Sequence, residues 1–324
     1  MTEMDSESPI RLRAWSYADF PILLRPHARY RMRKFHLLRA AVIERGVLPA
    51  EDVLVGPEIA PDLLALAHDP GYIAAVREGT LGEKAAREMG FDWSAGLYVR
   101  GCRIVGSALA AARAALRDGA GIVLGGGAHH AFGDRGRGFC IFNDIVVAAR
   151  VLLAEGGVRR VAVLDGDVHQ GDGTAAITAE DARIFTFSVH GEKNYPFRKE
   201  CSDLDIALPD GAGDRAYLDA IDAGLAAILE EPAIDLVMFI AGADPFMDDR
   251  LGRLAVTAAG LRERDELVIE TLLTREIPVV VLMGGGYCDP IEHTVELNLQ
   301  TVAVTARLWR EHHARLRQPG LQVG

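Results

Sequence analysis

The most informative polar residues of the chain follow directly on a short apolar run. Residues 161–164 are predicted to form a strand buried on both faces, and Asp165-Gly-Asp167-Val-His169 comes next. Side chains alternate along an extended chain, so the two aspartates and the histidine would project to one side. Carboxylate oxygen and imidazole nitrogen are both zinc ligands. The segment predicts a divalent-metal site or, as the alternative, a solvated turn with aspartates that cap a helix.

Three more apolar runs also end in glycine and then in a chemically capable side chain. They cover residues 122–124, 236–240 and 279–282, and they lead to His129 and His130, to Asp244 and to Tyr287. The carboxyl ends of parallel strands share one edge of a sheet, where open α/β proteins bind their ligands. Four strands that bring these side chains to one edge favour a metal-dependent hydrolase over a set of ordinary turns.

Helical patterns separate these runs along the chain. They cover about residues 30–45, 61–67, 70–78, 101–117, 143–155, 213–230, 257–274 and 291–316. Asn143 or Asp144 is expected to cap one helix, and Asp118-Gly119 is expected to end another. Residues 80–99 have weak periodicity and are predicted to form a loop near the pocket rim. Strands that alternate with helices predict a parallel sheet with helices on both faces.

Composition narrows the class of protein. A chain of 324 residues with 49% hydrophobic residues can bury a large core, so we expect one catalytic domain over residues 15–324 and a frayed arm over residues 1–14. No apolar run approaches about 18 residues, and the acidic N-terminus lacks the apolar core of a signal peptide. The net charge of −11 argues against nucleic-acid binding. Four cysteines without metal or disulfide spacing indicate the reduced cytoplasm.

At these motifs the chain resembles the histone deacetylase family. The matching segments are Gly-Gly-Gly-Ala-His-His-Ala (125–131), Gly-Phe-Cys-Ile-Phe-Asn-Asp (138–144), Asp-Gly-Asp-Val-His-Gln-Gly-Asp-Gly (165–173), Gly-Ala-Asp-Pro-Phe-Met-Asp-Asp-Arg-Leu-Gly (242–252) and Gly-Gly-Gly-Tyr (284–287). They fall in family order, and residues 190–197 look more like the bacterial and class IV branch. The resemblance implies the arginase/deacetylase fold, a three-layer α/β/α domain with about eight mostly parallel strands.

The resemblance also implies a role for each site residue. Zinc, or ferrous iron in its place, would be held by Asp167, His169 and Asp244. His130 would be the general base and acid, and His129 would tune the charge nearby. Asp165 and Asp172 would stand behind the two histidines, although Asp172 could instead be a plain turn residue. Tyr287 would donate a hydrogen bond to the oxyanion.

The resemblance also implies two residues that line a substrate channel. Phe139 would pack along the acyl-lysine stem, and the Gly138 carbonyl would accept the substrate amide N–H. Tyr195, followed by Pro196, is expected to form the facing wall, in a region that departs from the Phe-Phe-Pro pattern of class I enzymes. Two roles stay open for Arg29: it could line an internal acetate-exit pocket, or it could be a surface charge in a basic run that ends at Lys34. A structural potassium ion is also implied, at a site matched by Asp165, Asp167, His169, Ser188 and Val189.

Three functions are compared on these residues. The favoured one is a metal-dependent deacylase acting on acyl-lysine, an acetylpolyamine or a small acylated amine. An arginase-like ureohydrolase with two manganese ions would need a second carboxylate where Phe246 stands. A catalytically silent acyl-ligand binder is disfavoured because the ligand set, the histidine pair and Tyr287 are all present. The oligomeric state is left open.

Overall fold

A sheet of eight parallel strands lies at the centre of the described chain. The computed structural model describes residues 10–24 and 29–317. The strands are β1 (Ala14–Ser16), β2 (Val53–Val55), β3 (Ala120–Val123), β4 (Val161–Asp165), β5 (Ile184–Gly191), β6 (Leu204–Leu208), β7 (Leu236–Ile240) and β8 (Val279–Leu282). They lie in the order β2-β1-β3-β8-β7-β4-β5-β6, and every neighbouring pair is parallel. The four strands that end in candidate site residues are therefore adjacent in the middle of the sheet.

Helices cover both faces of this sheet. They are α1 (Arg33–Glu44), α2 (Pro61–Leu64), α3 (Pro70–Glu78), α4 (Glu83–Met89), α5 (Ala95–Asp118), α6 (Asp144–Glu155), α7 (Asp172–Thr178), α8 (Asp214–Glu230), α9 (Ala258–Thr274) and α10 (Glu292–Leu316). Helix α5 packs on α6 and α3 in one layer, whereas α10 packs on α1 and α9 in the other.

The central strands supply both hydrophobic cores because each is buried on both faces. In β4, Val161 and Val163 belong to the core on the α5 side, and Ala162 and Leu164 belong to the core on the α10 side. Strands β7 and β8 alternate in the same way. This is the period of two expected for a strand between two helix layers. The predicted three-layer α/β/α architecture is confirmed.

The prediction of a loop over residues 80–99 is wrong. This segment contains α4 and the first turn of α5. Only Ala86 and Met89 of α4 are buried, so a short helix with charged residues at most other positions leaves little periodicity in the sequence. Gly90 ends α4 with a φ of 89°, a left-handed conformation that glycine adopts without strain.

The ends of several elements agree with the sequence. Asn143 caps α6, its side chain accepting a hydrogen bond from the Val146 N–H at 3.0 Å, and Gly119 follows the last residue of α5. Residues 1–9 of the predicted N-terminal arm lie outside the described residues, whereas Leu12 and Ala14 are buried. Within the described ranges, no helix is both long enough and apolar enough to span a bilayer.

Candidate active site

Three candidate metal ligands meet at the carboxyl edge of the sheet. Asp167 and His169 follow β4, Asp244 follows the adjacent β7, and all three side chains are buried. Their candidate ligand atoms lie within 4.8 Å of one another. Nδ1 of His169 lies 3.0 Å from Oδ1 of Asp167 and 3.2 Å from Oδ2 of Asp244. Neighbouring parallel strands thus bring together the ligand set predicted from the sequence.

The donor atoms of this group fit a divalent cation. Oδ2 of Asp244 is buried and accepts no hydrogen bond from any described residue, while Nδ1 of His169 forms its hydrogen bond with Oδ1 of Asp167. A Cβ atom at Gly285 would lie 1.9 Å from this oxygen, so only glycine leaves room beside it. A buried carboxylate oxygen without a partner is costly, and a cation bound by two oxygens and a nitrogen would satisfy it.

Side chains of α8 and α9 hold the backbone of the two ligand loops, which are the loops after β4 and β7 that carry the candidate metal ligands. Arg264, buried in α9, donates a hydrogen bond from Nη1 to the Gly242 carbonyl at 2.6 Å. The same nitrogen lies 3.2 Å from the hydroxyl oxygen of Tyr217, and that hydroxyl donates to the Gly166 carbonyl at 2.6 Å. Gly166 and Gly242 each lie within two residues of a ligand. The two loops are therefore tied to one buried guanidinium, a link that no sequence motif indicated.

Two buried His–Asp pairs lie beside the ligand group. Nδ1 of His129 lies 2.7 Å from Oδ2 of Asp165, and Nδ1 of His130 lies 2.6 Å from Oδ1 of Asp172. The two imidazole centroids are 4.1 Å apart. In both rings the carboxylate engages Nδ1, which leaves Nε2 for other partners. Asp172 begins α7 and is fully buried, so the reading of it as a plain turn residue is wrong.

The two histidines differ in protonation because their surroundings differ in charge. Burial lowers the pKa of both. For His129 the carboxylates of Asp165 and Asp167 outweigh burial and raise the pKa to about 9. For His130, burial and the charge on His129 outweigh Asp172, and the pKa falls to about 4. Without a bound metal, the site therefore holds one charged and one neutral imidazole near pH 7.

Arg137 is a site residue that sequence reasoning missed. Its Nη1 donates a 2.7 Å hydrogen bond to Oδ2 of Asp172, the carboxylate behind His130. Among the described residues, no lysine or arginine forms an ion pair with Asp165, the carboxylate behind His129. The Arg137 guanidinium thus offsets the negative charge of Asp172 but not that of Asp165. Arg137 directly precedes Gly138, the first residue of a matched segment, and this position was the signal by which the sequence could have indicated it.

Asp144 positions the loop that carries the two histidines. Its buried carboxylate accepts hydrogen bonds from the N–H groups of Gly127 at 3.1 Å and Ala128 at 2.7 Å. Burial raises the pKa of Asp144 to about 6, against the effect of these hydrogen bonds. Gly127 has a φ of 78°, which glycine tolerates where other residues would be strained. The sequence suggested Asp144 only as a helix cap, a role that Asn143 fills.

The three predicted channel residues line one outer cavity of about 510 Å³ that leads to the site. The Tyr195 ring lies edge-on to His130, with centroids 5.0 Å apart, and the Phe139 ring lies 6.0 Å from that of Tyr287. The N–H groups of Gly138 and Phe139 donate to carbonyls at the end of α4. The helix that was predicted as loop therefore supports one wall of the channel.

Tyr287 reaches the inner end of the same cavity. Burial, and then the negative charges of Asp244 and Asp167, raise its pKa well above the usual value for tyrosine. Its hydroxyl therefore stays protonated and can donate a hydrogen bond. The Tyr287 N–H donates to Oδ2 of Asp249 at 2.6 Å, which fixes the backbone after the glycine triplet.

A second, smaller cavity of about 50 Å³ lies behind the ligand group, and a buried lysine lines it. Nζ of Lys34 donates to the Gly286 carbonyl at 3.2 Å and lies 5.3 Å from the Tyr287 ring centroid. Burial lowers the pKa of Lys34, while Asp244 opposes that shift. Arg29 is exposed and lines the outer cavity, so its placement in an internal pocket is wrong. The cation at the inner cavity is Lys34, which the sequence grouped with surface charges.

The sequence model of the histone deacetylase domain matches residues 27–302. The chain belongs to the histone deacetylase family. It is 42% identical over 286 residues to an uncharacterized protein of Picosynechococcus sp., a match that covers 85% of this chain and 95% of that protein. It is 28% identical to the acetoin utilization protein AcuC of Staphylococcus aureus, over 84% of this chain and 76% of the relative.

Solved structures of the same fold agree with the architecture of this family member. A histone deacetylase homologue complexed with SAHA superposes with a TM-score of 0.79 at 21% identity, over 93% of this chain and 84% of that one. An acetylpolyamine aminohydrolase from Burkholderia pseudomallei gives 0.72 at 24% identity, over 92% and 99%. At these identities the likeness shows the fold, and the expected histone deacetylase fold is confirmed.

The structure bears on two remaining expectations, the arginase-like alternative and the potassium site. Phe246, which stands where a second metal would need a carboxylate, packs against the core. Within the described residues Asp167, His169 and Asp244 form the one buried group suited to a metal, so a two-metal arginase-like centre lacks its second ligand set. Asp165 and Ser188 are paired across β4 and β5, close to where the potassium site was expected. The potassium ion itself stays a prediction.

Proposed function

We propose that this protein is a zinc-dependent deacylase that hydrolyses the amide of an acylated primary amine, with acetyl-lysine as the main substrate type. The observation that carries this proposal is the pair of buried His–Asp contacts beside a buried Asp-His-Asp group. Ferrous iron is the alternative metal, and acetylpolyamines and small acylated amines are the alternative substrates. The cytoplasmic location stays a prediction.

Asp167, His169 and Asp244 would hold the metal. When bound, a metal of this kind acidifies a water molecule and polarises the acyl oxygen. Two backbone hydrogen bonds would hold both carboxylates in place for that role. Gly285 N–H donates to Oδ2 of Asp167 at 2.7 Å, and Val168 N–H donates to Oδ1 of Asp244 at 3.0 Å.

The two histidines would divide the proton chemistry. Neutral His130 would accept a proton at Nε2 from the water that attacks the acyl carbon, and would later give it to the departing amine nitrogen as the C–N bond breaks. His129, held by Asp165, would tune the charge beside the developing negative charge on the acyl oxygen. Asp165 and Asp172 would keep each ring oriented through Nδ1.

Tyr287 and the channel walls would act on the substrate itself. The Tyr287 hydroxyl, which stays protonated, would donate to the oxyanion that forms when water attacks. Phe139 and Tyr195 would confine the aliphatic stem, and the Gly138 carbonyl would accept the substrate amide N–H. Confinement of this kind orients the reacting carbonyl relative to His130.

A reconstitution experiment tests the metal and the activity together. Protein stripped with a chelator should be inactive on an acetyl-lysine peptide, and about one equivalent of Zn²⁺ or Fe²⁺ per chain should restore deacetylation. Metal analysis of the active protein should give a stoichiometry near one. Activity that survives metal removal, or that requires two metals per chain, would contradict the proposal.

A further inference from the structure

The outer cavity is lined by far more positive than negative side chains. Among the described residues, its one acidic lining residue is Glu88, whereas its basic lining residues are Arg29, Arg87, Lys193, Arg250 and Arg253. The basic residues come from four separate parts of the chain: the segment before α1, helix α4, the loop after β5 and the loop after β7. The fold therefore gathers at one opening cations that are far apart in the sequence.

A shallower groove continues the same charge pattern beside Tyr195. It shares Arg87, Glu88 and Tyr195 with the outer cavity and adds Arg135 and Arg137. We call the outer cavity and this groove together the entrance. From the part of the chain that the structure describes, seven basic and one acidic side chain line it, in a chain where acidic residues outnumber basic ones by 46 to 35. From the composition of the chain alone, acidic side chains would be expected to outnumber basic side chains at the entrance.

Five of the seven entrance cations pair with carboxylates that lie outside the lining. Three of these pairs join Arg87 to Glu83, Arg135 to Asp134 and Arg137 to Asp172. Arg253 pairs with Asp210 at 3.2 Å and Arg250 pairs with Asp289 at 2.8 Å, and all four side chains remain more than a third exposed. Exposed pairs of this kind are weak, so the guanidinium groups of Arg250 and Arg253 stay available to a ligand, whereas that of Arg137 is engaged by the buried Asp172. Lys193 is exposed and has no ion pair among the described residues. It is the clearest free charge at the entrance.

An exposed aromatic ring lies beside these cations. Phe197 is 85% exposed, and its ring is edge-on to Tyr195 with centroids 6.3 Å apart. It lines the outer cavity together with Lys193. An apolar surface next to cations suits a chain that carries both hydrophobic and acidic side chains. The 510 Å³ of the outer cavity leaves room for residues on either side of a lysine stem.

We propose that this entrance selects acyl-lysines that lie within acidic peptide segments, a substrate class that rests on the deacylase function proposed above. Carboxylates that flank the acyl-lysine would be attracted to the entrance cations while the acylated side chain enters the channel. Polyamines and lysine-rich peptides would be repelled by the same charges. Because the entrance is exposed, this preference is sensitive to salt, with a screening length of about 8 Å at physiological ionic strength.

A matched peptide series tests the preference on the zinc-loaded protein. Three acetyl-lysine peptides of equal length would carry flanking Glu, Gln or Lys residues, and an N-acetylated polyamine and free acetyl-lysine would be assayed beside them. We expect kcat/KM to be about tenfold or more higher for the Glu peptide than for the Gln peptide at low salt. The Lys peptide and the polyamine should be the poorest substrates, and 0.5 M KCl should reduce the spread.

A pair of charge reversals identifies the entrance as the cause. Lys193→Glu should reduce the ratio of kcat/KM on Glu and Gln peptides by about threefold to tenfold. Arg262→Glu makes the same change in net charge on α9, at an exposed arginine outside the entrance, and should leave that ratio unchanged.

The outcomes separate this inference from the deacylase proposal. If no peptide is hydrolysed, including the Gln peptide, the deacylase function itself fails. If the Gln peptide is a good substrate but the Glu peptide is no better, or if both charge reversals act alike, the entrance does not select charge. If free acetyl-lysine or the polyamine exceeds every peptide, the acidic peptide is the wrong substrate class.

Discussion

The two His–Asp pairs of the site are alike in geometry, but without a bound metal one imidazole is charged and the other is neutral. Each histidine engages a buried aspartate through Nδ1, at 2.7 Å for His129 and 2.6 Å for His130. The pKa of His129 is nevertheless raised to about 9, and that of His130 is lowered to about 4. The difference arises outside the pairs. Asp167 lies near His129 and adds negative charge, whereas His130 faces the positive charge on His129.

The comparison teaches that a His–Asp contact alone does not define a role. Neighbouring groups set the protonation state, and the protonation state decides whether the imidazole accepts a proton or contributes charge. Two adjacent histidines with widely separated pKa values can therefore act differently in one reaction. Substitutions in and around the two pairs would break or sharpen this comparison.

The largest effect should come from removing the neutral histidine. His130→Ala should lower kcat by about 10³–10⁴, because the residue serves as both base and acid. His129→Ala should lower kcat less, by about 10–10², because it removes only a nearby charge. Steady-state assays on an acetyl-lysine peptide, with metal content measured in each variant, would show this. A larger loss in His129→Ala would reverse the two roles.

Removing the tyrosine hydroxyl should have an intermediate effect that is independent of either pair. Tyr287→Phe should lower kcat by about 10²–10³ with little change in KM or metal content, because the hydroxyl acts mainly on the developing oxyanion. The pH profile of the remaining activity should keep its shape. Near-normal turnover would mean that the oxyanion donor is another group.

Removing the guanidinium should make the two pairs more alike. Arg137→Met frees the full charge of Asp172 to act on His130, so the pKa of His130 should rise. The active form of His130 is neutral, so the acidic limb of the kcat/KM profile should move to higher pH, with activity about threefold to tenfold lower on that limb. Arg135→Met, which removes a neighbouring arginine paired with Asp134, is the matched control and should leave the limb in place.

A buried histidine outside the site should affect stability rather than activity. Burial lowers the pKa of His68 to about 4, and its ring is held between the Phe132 carbonyl and the Asn143 N–H. Between pH 6.5 and pH 4 the unfolded chain binds a proton that the folded chain does not, so stability falls as pH falls. The loss from pH 7 to pH 5 should be about 2 kcal/mol.

Urea unfolding at the two pH values measures this contribution. In His68→Gln the loss of stability between pH 7 and pH 5 should be smaller than in the wild type by about that 2 kcal/mol. His293→Gln, a substitution at an exposed histidine of α10, should behave as the wild type. An equal pH dependence in all three proteins would show that His68 titrates alike in the folded and unfolded chains.

The sequence predicted the parts of the site that lie on the strands of the sheet. Apolar runs that end in glycine and then in Asp, His or Tyr placed those residues at one edge, because parallel strands leave little choice of geometry. It did not predict α4, where two buried positions are too few to show a helical period. Strand β6 was missed for a related reason, since its half-exposed residues at the sheet edge form no apolar run.

Contacts between residues far apart in the chain could not be predicted from the sequence, for a different reason. Arg137 lies 35 residues from Asp172, and Lys34 lies 252 residues from Gly286, so their pairing depends on the folded topology. A charged residue in a basic run is usually solvated, and only burial distinguishes Lys34 from Arg33. The pKa values of His129 and His130 depend on such neighbours. The motifs therefore gave the identities of the site residues but not their charge states.

The hydrogen bonds from Arg264 and Tyr217 to the Gly242 and Gly166 carbonyls have a consequence for metal uptake. Because these contacts form when α8 and α9 pack on the sheet, the ligand loops lose their conformational freedom during folding. Binding of the ion then requires little further ordering, in contrast to small domains that fold only around their metal. We therefore expect the rigid core to contribute to ion selectivity, and we expect a substitution in α9, far from the ligands, to change which metal the protein retains.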